Sequence, residues 1–262
     1  MSRTLKISAV EAICLICLAM VNQIIINIPK MIITQTGSSA WINVLYISVI
    51  AVFIVLIISK LFSNFYGKDI VDISQYLGGK VLKTVIGLLY ISMFVLSAAT
   101  SLKYFCDKLK LIYFHETPIY LLIFSFIISA VIVNRIGGNA VIKVNCSIVA
   151  AFLISMIVLI FVTSKSFVTH RLFPILGYGT NETFFTGITN LFAFEGFAYL
   201  YFIMPILKNS KDFKKVSVIS CIISGICLFL SVISLTLVFS YITKTDDVLL
   251  LYFLTRIASF GN

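Results

Sequence analysis

Charge is what this chain has least of. Asp, Glu, Lys and Arg make up 11% of its 262 residues, against about 25% in an ordinary soluble domain. Hydrophobic residues supply 60%, and the mean hydropathy is +1.10, so an aqueous fold could not hide the apolar surface. Short alternating strands are also missing, which excludes a membrane barrel. There are two histidines, and neither lies at a recognisable spacing from a nucleophile. His115 and Glu116 open the string HETPI, which lacks the second histidine of a zinc peptidase and carries proline where that motif needs a helix. The sequence therefore reads as no enzyme, with no metal and no cofactor. Six cysteines lie mostly inside apolar runs, so no disulfide framework is expected. Cys14 and Cys17 have metal or redox spacing, but no second pair accompanies them, and they read as small core residues.

What the chain does have is several windows of roughly 20 apolar residues, the length that crosses a hydrocarbon core of about 30 Å. The expected fold class is all-α, a polytopic membrane helical bundle in a single integral-membrane domain covering 1–262, with no soluble domain. Seven spans are predicted, at about 7–28, 40–59, 84–102, 118–133, 144–162, 184–207 and 216–242. The first is interrupted by Asn22 and Gln23 and has no small-residue cleavage site behind it, so it is expected to stay as a span rather than leave as a signal peptide. A net charge of +10 could mean nucleic acid, but the basic residues are scattered over loops. With the N-terminus inside, twelve of the 20 basic residues fall on inner segments, KNSKDFKK at 208–215 foremost. This predicts a cytoplasmic N-terminus and no nucleic-acid partner.

Between spans 2 and 3, NFYGKDIVDISQYLGGK (64–80) places Ile70, Ile73 and Leu77 at helical spacing among charges. It reads as a short surface helix ended by Gly78 and Gly79, or as an ordinary loop. The outer segment 163–183 is long for a connector and contains LFPIL; a lid is one reading. In span 7, Ser217, Ser220, Ser224, Cys227, Ser231 and Ser234 alternate steps of three and four. That stripe suits close helix packing in preference to a water-filled path; Ser147, Ala151 and Ser155 repeat it in span 5.

Two spans look built to break. Glu195 is the one acidic residue at the middle of a predicted span, where a charge costs about 2.5–3.5 kcal/mol to insert. Gly196 follows it, and an interior glycine costs a helix about 1 kcal/mol relative to alanine. In span 1, Asn22, Gln23 and Asn27 precede Pro29, which lacks a backbone donor. Interruptions at matching places five spans apart are the pattern of secondary transporters built from inverted repeats. Glu195 then meets a ligand, carries a proton, or stays protonated by burial and bonds a neighbouring helix.

The segments IPKMIITQTGSSAWINVL (28–45), LFPILGYGTNETFFTGITNLFAFEGF (172–197) and TRIASFGN (255–262) resemble the spore germination permeases, the membrane B subunits of nutrient germinant receptors. These belong to the amino acid/polyamine/organocation transporter superfamily. The resemblance implies a LeuT-like inverted-repeat fold of ten spans, of which about seven would be present here, the chain stopping before span 8. It implies a small germinant, an amino acid or a sugar, held between spans 1, 3, 6 and 8, and an A subunit and a lipoprotein C subunit as partners in the spore inner membrane. The candidate ligand-binding residues are Asn22, Gln23 and Asn27 in span 1, Ser97 in span 3, and Asn190, Glu195 and Gly196 in span 6. A proton-coupled amino acid transporter in a bacterial cell membrane is the alternative. A seven-span photoreceptor is set aside, because span 7 carries no interior lysine for a Schiff base.

Overall fold

The computed structural model describes residues 6–26 and 28–239, without the side chains of Gln23, Ile25, Ile26, Ile136 and Asn139. Asn27, residues 240–242 of span 7 and the closing TRIASFGN lie outside the described residues, as does the side chain of Gln23. Eight α-helices occur among the described residues: α1 (Ala9–Ile26), α2 (Ile28–Thr36), α3 (Ala40–Phe62), α4 (Ile70–Ile112), α5 (Ile119–Ile136), α6 (Gly138–Thr163), α7 (Phe197–Ile203) and α8 (Phe213–Val238). No strand is present among them beyond one isolated bridge, Ile7 to Leu207. The protein is an all-α polytopic membrane bundle.

Four helical stretches are long and apolar enough to cross a membrane: Ile28–Phe62, Ile70–Ile112, Ala140–Ser166 and Ser210–Val238. A fifth is possible if the pair Asn181–Phe194 and Phe197–Ile206, bent by 40° at its break, is one span. Ala9–Asn22 and Ile119–Arg135 are shorter apolar helices. Direction along the bundle follows from the end contacts. The Ile7 backbone N–H donates to Ile206 (2.9 Å) and its carbonyl accepts from Lys208 (2.9 Å). The Phe62 ring, at the end of α3, packs on Tyr201 and Phe213. So α3 finishes at the end of the bundle where α1 begins.

Helix starts have local causes. Ser8 caps α1: its hydroxyl accepts from the Glu11 N–H (3.3 Å), while Glu11 Oε2 accepts from the Ser8 N–H (2.7 Å) and hydroxyl (2.9 Å). This reciprocal box satisfies donors a helix N-terminus would leave orphaned. At α4, the Asp69 carboxylate accepts from the Asp72 N–H (2.7 Å). The helix predicted between spans 2 and 3 forms as the first turns of α4 and breaks at Gly78 and Gly79. Gly79 has φ +70° and ψ −162°, a conformation open to glycine and costly to other residues.

The core is centred on α8, which packs against α1, α3 and α6. Ser217, Ser220, Ser224, Cys227, Ser231 and Ser234 are all at most 3% exposed, so the stripe is a packing face and not a water path. Most of its hydroxyls bond back along their own helix, Ser217 to the Phe213 carbonyl (2.7 Å) and Ser231 to that of Cys227 (2.8 Å). Satisfied this way, a serine offers glycine-like closeness without needing a partner across the interface. Gly225 continues the same economy of volume, since a Cβ there would come 3.1 Å from Ser48 Oγ on α3. By contrast α4 and α5 are peripheral, with most residues of both exposed.

The segment 163–183 is tied down at several points. The Val168 N–H donates to the Leu237 carbonyl (3.1 Å), and Arg171 Nη1 donates to the carbonyls of Leu237 (3.2 Å) and Val238. The Ser38 hydroxyl donates to the Pro174 carbonyl (2.5 Å). Gly177, at φ +55°, lies so close to the α2–α3 junction that a Cβ would come 2.0 Å from the Thr36 carbonyl oxygen. These bonds tie the segment to the end of α8 and to the α2–α3 junction.

Candidate functional site where a broken helix crosses α1

The stretch corresponding to span 6 is not a regular α-helix. It runs as a π-helical turn, Asn181–Phe185, then a 3₁₀ stretch, Thr186–Phe194, before α7 begins at Phe197. Such tightened and widened turns inside a membrane helix mark strain or function. The local reason is a buried polar cluster along its first half. Asn43 Nδ2, on α3, donates to the carbonyls of Thr183 (2.7 Å) and Gly187 (3.0 Å), and Asn43 Oδ1 accepts from Asn190 Nδ2 (2.9 Å). The Ser39 and Thr183 hydroxyls lie 2.7 Å apart. Gly187 is required for this approach, because a Cβ would fall 2.3 Å from Asn43 Nδ2. Asn43 thus takes over carbonyls that a regular helix would bond internally. Asn190 is fully buried, and its Oδ1 has no hydrogen-bond partner.

The break itself falls at Glu195 and Gly196. The Glu195 N–H donates to the Phe192 carbonyl (3.0 Å), and the Glu195 carbonyl accepts from Ala198 (3.0 Å). Gly196 is buried against α1: a Cβ would come 2.6 Å from Met20 Cγ, 3.3 Å from its backbone N and 3.5 Å from its Cα. The glycine therefore permits main-chain contact between the broken helix and α1, two residues before the exposed Asn22.

Glu195 is exposed, and Ser97 donates to its Oε1 at 3.4 Å. The face of α4 that delivers Ser97 is aromatic. Tyr90 meets Phe202 (ring centroids 5.0 Å) and Phe94 stacks on Tyr199 (4.9 Å), and Ser97 follows Phe94 by three residues on the same face. The structure thus brings Ser97, Glu195 and Gly196 together beside α1. It holds Asn190 apart, in the Asn43 cluster. Sequence reasoning missed Asn43, although it is the one asparagine in span 2, and it missed Met20, which meets Gly196 with both its side chain and its main chain.

The family described as spore germination protein matches residues 6–249. The chain belongs to the spore germination permease family. Among curated proteins, the chain is similar to spore germination protein B2 of Bacillus subtilis (strain 168), 22% identical over 213 residues, covering 80% of this chain and 57% of that protein. It is also similar to spore germination protein KB of the same organism, 25% identical over 203 residues, covering 76% of this chain and 54% of that protein. The chain spans about half the length of the spore germination proteins it matches. No solved structure matches it.

Proposed function

We propose that this spore germination permease is the membrane subunit of a germinant receptor, and that it binds a small nutrient where the break in span 6 crosses α1. The observation that carries this reading is the contact of Gly196 with the Met20 main chain, with Glu195 exposed beside it and touched by Ser97. An exposed carboxylate in the middle of an apolar stretch is costly against lipid, by about 2.5–3.5 kcal/mol. It is well used against the ammonium of an amino acid or a proton, with Asn22 and Ser97 offering neutral hydrogen bonds. The aromatic pair Phe94 and Tyr199 lies one turn from Ser97 and Glu195 and suits a ligand with an apolar side. The receptor's A subunit and lipoprotein C subunit are the partners this reading assigns, in the spore inner membrane, with the N-terminus cytoplasmic. A LeuT-like inverted repeat, completed by spans beyond these residues, is the architecture it assigns.

The test is Glu195→Gln in the full-length protein, in spores. The expected outcome is loss, or a shift of at least tenfold, of the nutrient concentration needed for germination, with the protein inserted at its normal level. An unchanged dose response with normal insertion overturns the ligand role of Glu195. Nutrient uptake driven by a proton gradient in reconstituted vesicles, abolished by the same substitution, replaces the receptor with a transporter.

A further inference from the structure

At the end of the bundle where α1 begins, a cavity of about 450 Å³ opens between the end of α3 and the start of α8. Three lysines line it, Lys60 from the last turn of α3, and Lys211 and Lys214 at the entry to α8. Four hydroxyl-bearing residues, Ser59, Ser63, Tyr66 and Ser210, share the wall, and the floor is apolar, with Leu56, Met204 and Phe213. No carboxylate lines it. Lys83 pairs with Asp72, 3.8 Å apart, at another place. Asp212, between Lys211 and Phe213 in sequence, makes no ion pair with any of the three. Three lysines around one cavity, with no carboxylate on its wall, favour an anion there.

A second cavity, of about 320 Å³, lies along the same seam. It is lined by Leu45, Val49 and Val52 of α3 and by Ile222, Ile226 and Phe229 of α8. On α3 the residues at 45, 49, 52, 56 and 60 fall at steps of three and four, so one stripe of the helix borders both cavities. At 1.5 Å rise per residue, Val52 and Val49 lie roughly 12–16 Å from Lys60 along the axis. That is about the depth of one leaflet, half of a 30 Å hydrocarbon core.

We propose that the α3–α8 seam holds an anionic phospholipid, its headgroup phosphate among Lys60, Lys211 and Lys214 and one acyl chain in the apolar groove above. The phosphate chemistry alone would also accept a free phosphate. The groove on the same stripe, at the depth of an acyl chain, favours the lipid. Basic cavities between membrane helices at headgroup level have this specificity by charge alone.

The whole chain, purified in a zwitterionic detergent, is titrated with short-chain phosphatidylglycerol and, separately, with phosphatidylcholine and inorganic phosphate, and bound lipid is counted by native mass spectrometry. Phosphatidylglycerol is expected to bind and phosphatidylcholine to bind at least tenfold more weakly. Lys60→Gln should weaken phosphatidylglycerol about fivefold, and the triple variant with Lys211→Gln and Lys214→Gln about a hundredfold; Lys165→Gln, at the other end of the bundle, should change nothing. Val52→Phe, which fills the groove, should weaken phosphatidylglycerol and leave inorganic phosphate unaffected. Equal binding of the two lipids, or no loss in Lys60→Gln, overturns the proposal. Inorganic phosphate binding as tightly as phosphatidylglycerol, with no effect of Val52→Phe, overturns the lipid in favour of a free anion. Displacement of phosphatidylglycerol by poly-glutamate at equal charge, again with no effect of Val52→Phe, overturns it in favour of an acidic protein segment. If the triple variant does not fold, Lys60→Gln and Val52→Phe still decide.

Discussion

Two glycines and one asparagine fix the irregular span. Gly196→Ala would put a methyl group against Met20, including its main-chain nitrogen 3.3 Å away, so the side chain cannot simply rotate aside. Overpacking of this kind costs about 1–3 kcal/mol, and equilibrium unfolding in detergent is expected to show a loss of that size together with a weaker nutrient response. Asn43→Ala removes the donor that serves the Thr183 and Gly187 carbonyls and the acceptor for Asn190. Leaving such buried groups unpaired costs about 1–3 kcal/mol each, and faster hydrogen exchange confined to 181–194 is the expected signature. Uniform exchange would mean that Asn43 does not set the local geometry. Glu195 and Gly196 were legible in the sequence because a charge and a glycine are both expensive in mid-span. Asn43 was passed over because one amide in an apolar run costs little to insert, and its value depends on a partner 140 residues away. Ser97 was legible only as a small polar residue; what carries it to Glu195 is the Tyr90 and Phe94 face, whose three-and-four spacing was there to be read.

Among the elements, α1 and α8 show how differently sequence patterns declare themselves. The Ser8–Glu11 box of α1 is a local signal, complete within four residues, and Ser8→Ala is expected to cost about 1 kcal/mol, measured by unfolding of the chain in mixed micelles. The serine stripe of α8 was readable from its periodicity alone, and the burial of all six positions follows from it. Ser224→Leu would insert two further heavy atoms into that face, where Gly225 and Ser48 already approach closely. Lower steady-state protein and about 1–3 kcal/mol lower stability are expected; an undiminished level would mean that this position has room. The π and 3₁₀ turns of 181–194 were not legible, because the choice among three-, four- and five-residue hydrogen-bond spacing is made by Asn43 and the α2–α3 junction, and not by the segment's own residues. In α4 the surface helix and the span are separate pieces, as the sequence suggested, because the backbone leaves helical geometry at Gly78 and Gly79.

For the whole molecule, the basic residues around Lys208–Lys215 and the start of α1 occupy one end of the bundle. If the positive-inside rule governs this protein, a cysteine placed at Lys208 is labelled by impermeant thiol reagents only after the membrane is opened, and one placed at Lys165 is labelled from outside in intact cells. The reverse pattern would invert the topology. The polypeptide is also fastened to itself at two levels. At the Ile7 end, α1 is tied to the exit of span 6 by main-chain bonds to Ile206 and Lys208, and Lys6 Nζ donates to the Pro205 carbonyl (2.9 Å). At the other end, Gln35 Nε2 donates to the Thr186 carbonyl (3.1 Å) and to the Thr189 hydroxyl (3.3 Å). The broken span 6 and the α1–α2 pair are thus tied together near both ends, and between the ties they touch at Gly196 and Met20. A guest bound beside this contact could not swing either helix about a free end; pressing into the seam it would bow both, as a finger bows two cords pinned on a frame. The displacement would be greatest at the guest and would shorten the span between the pins, so the pull would be felt along the axis of the bundle.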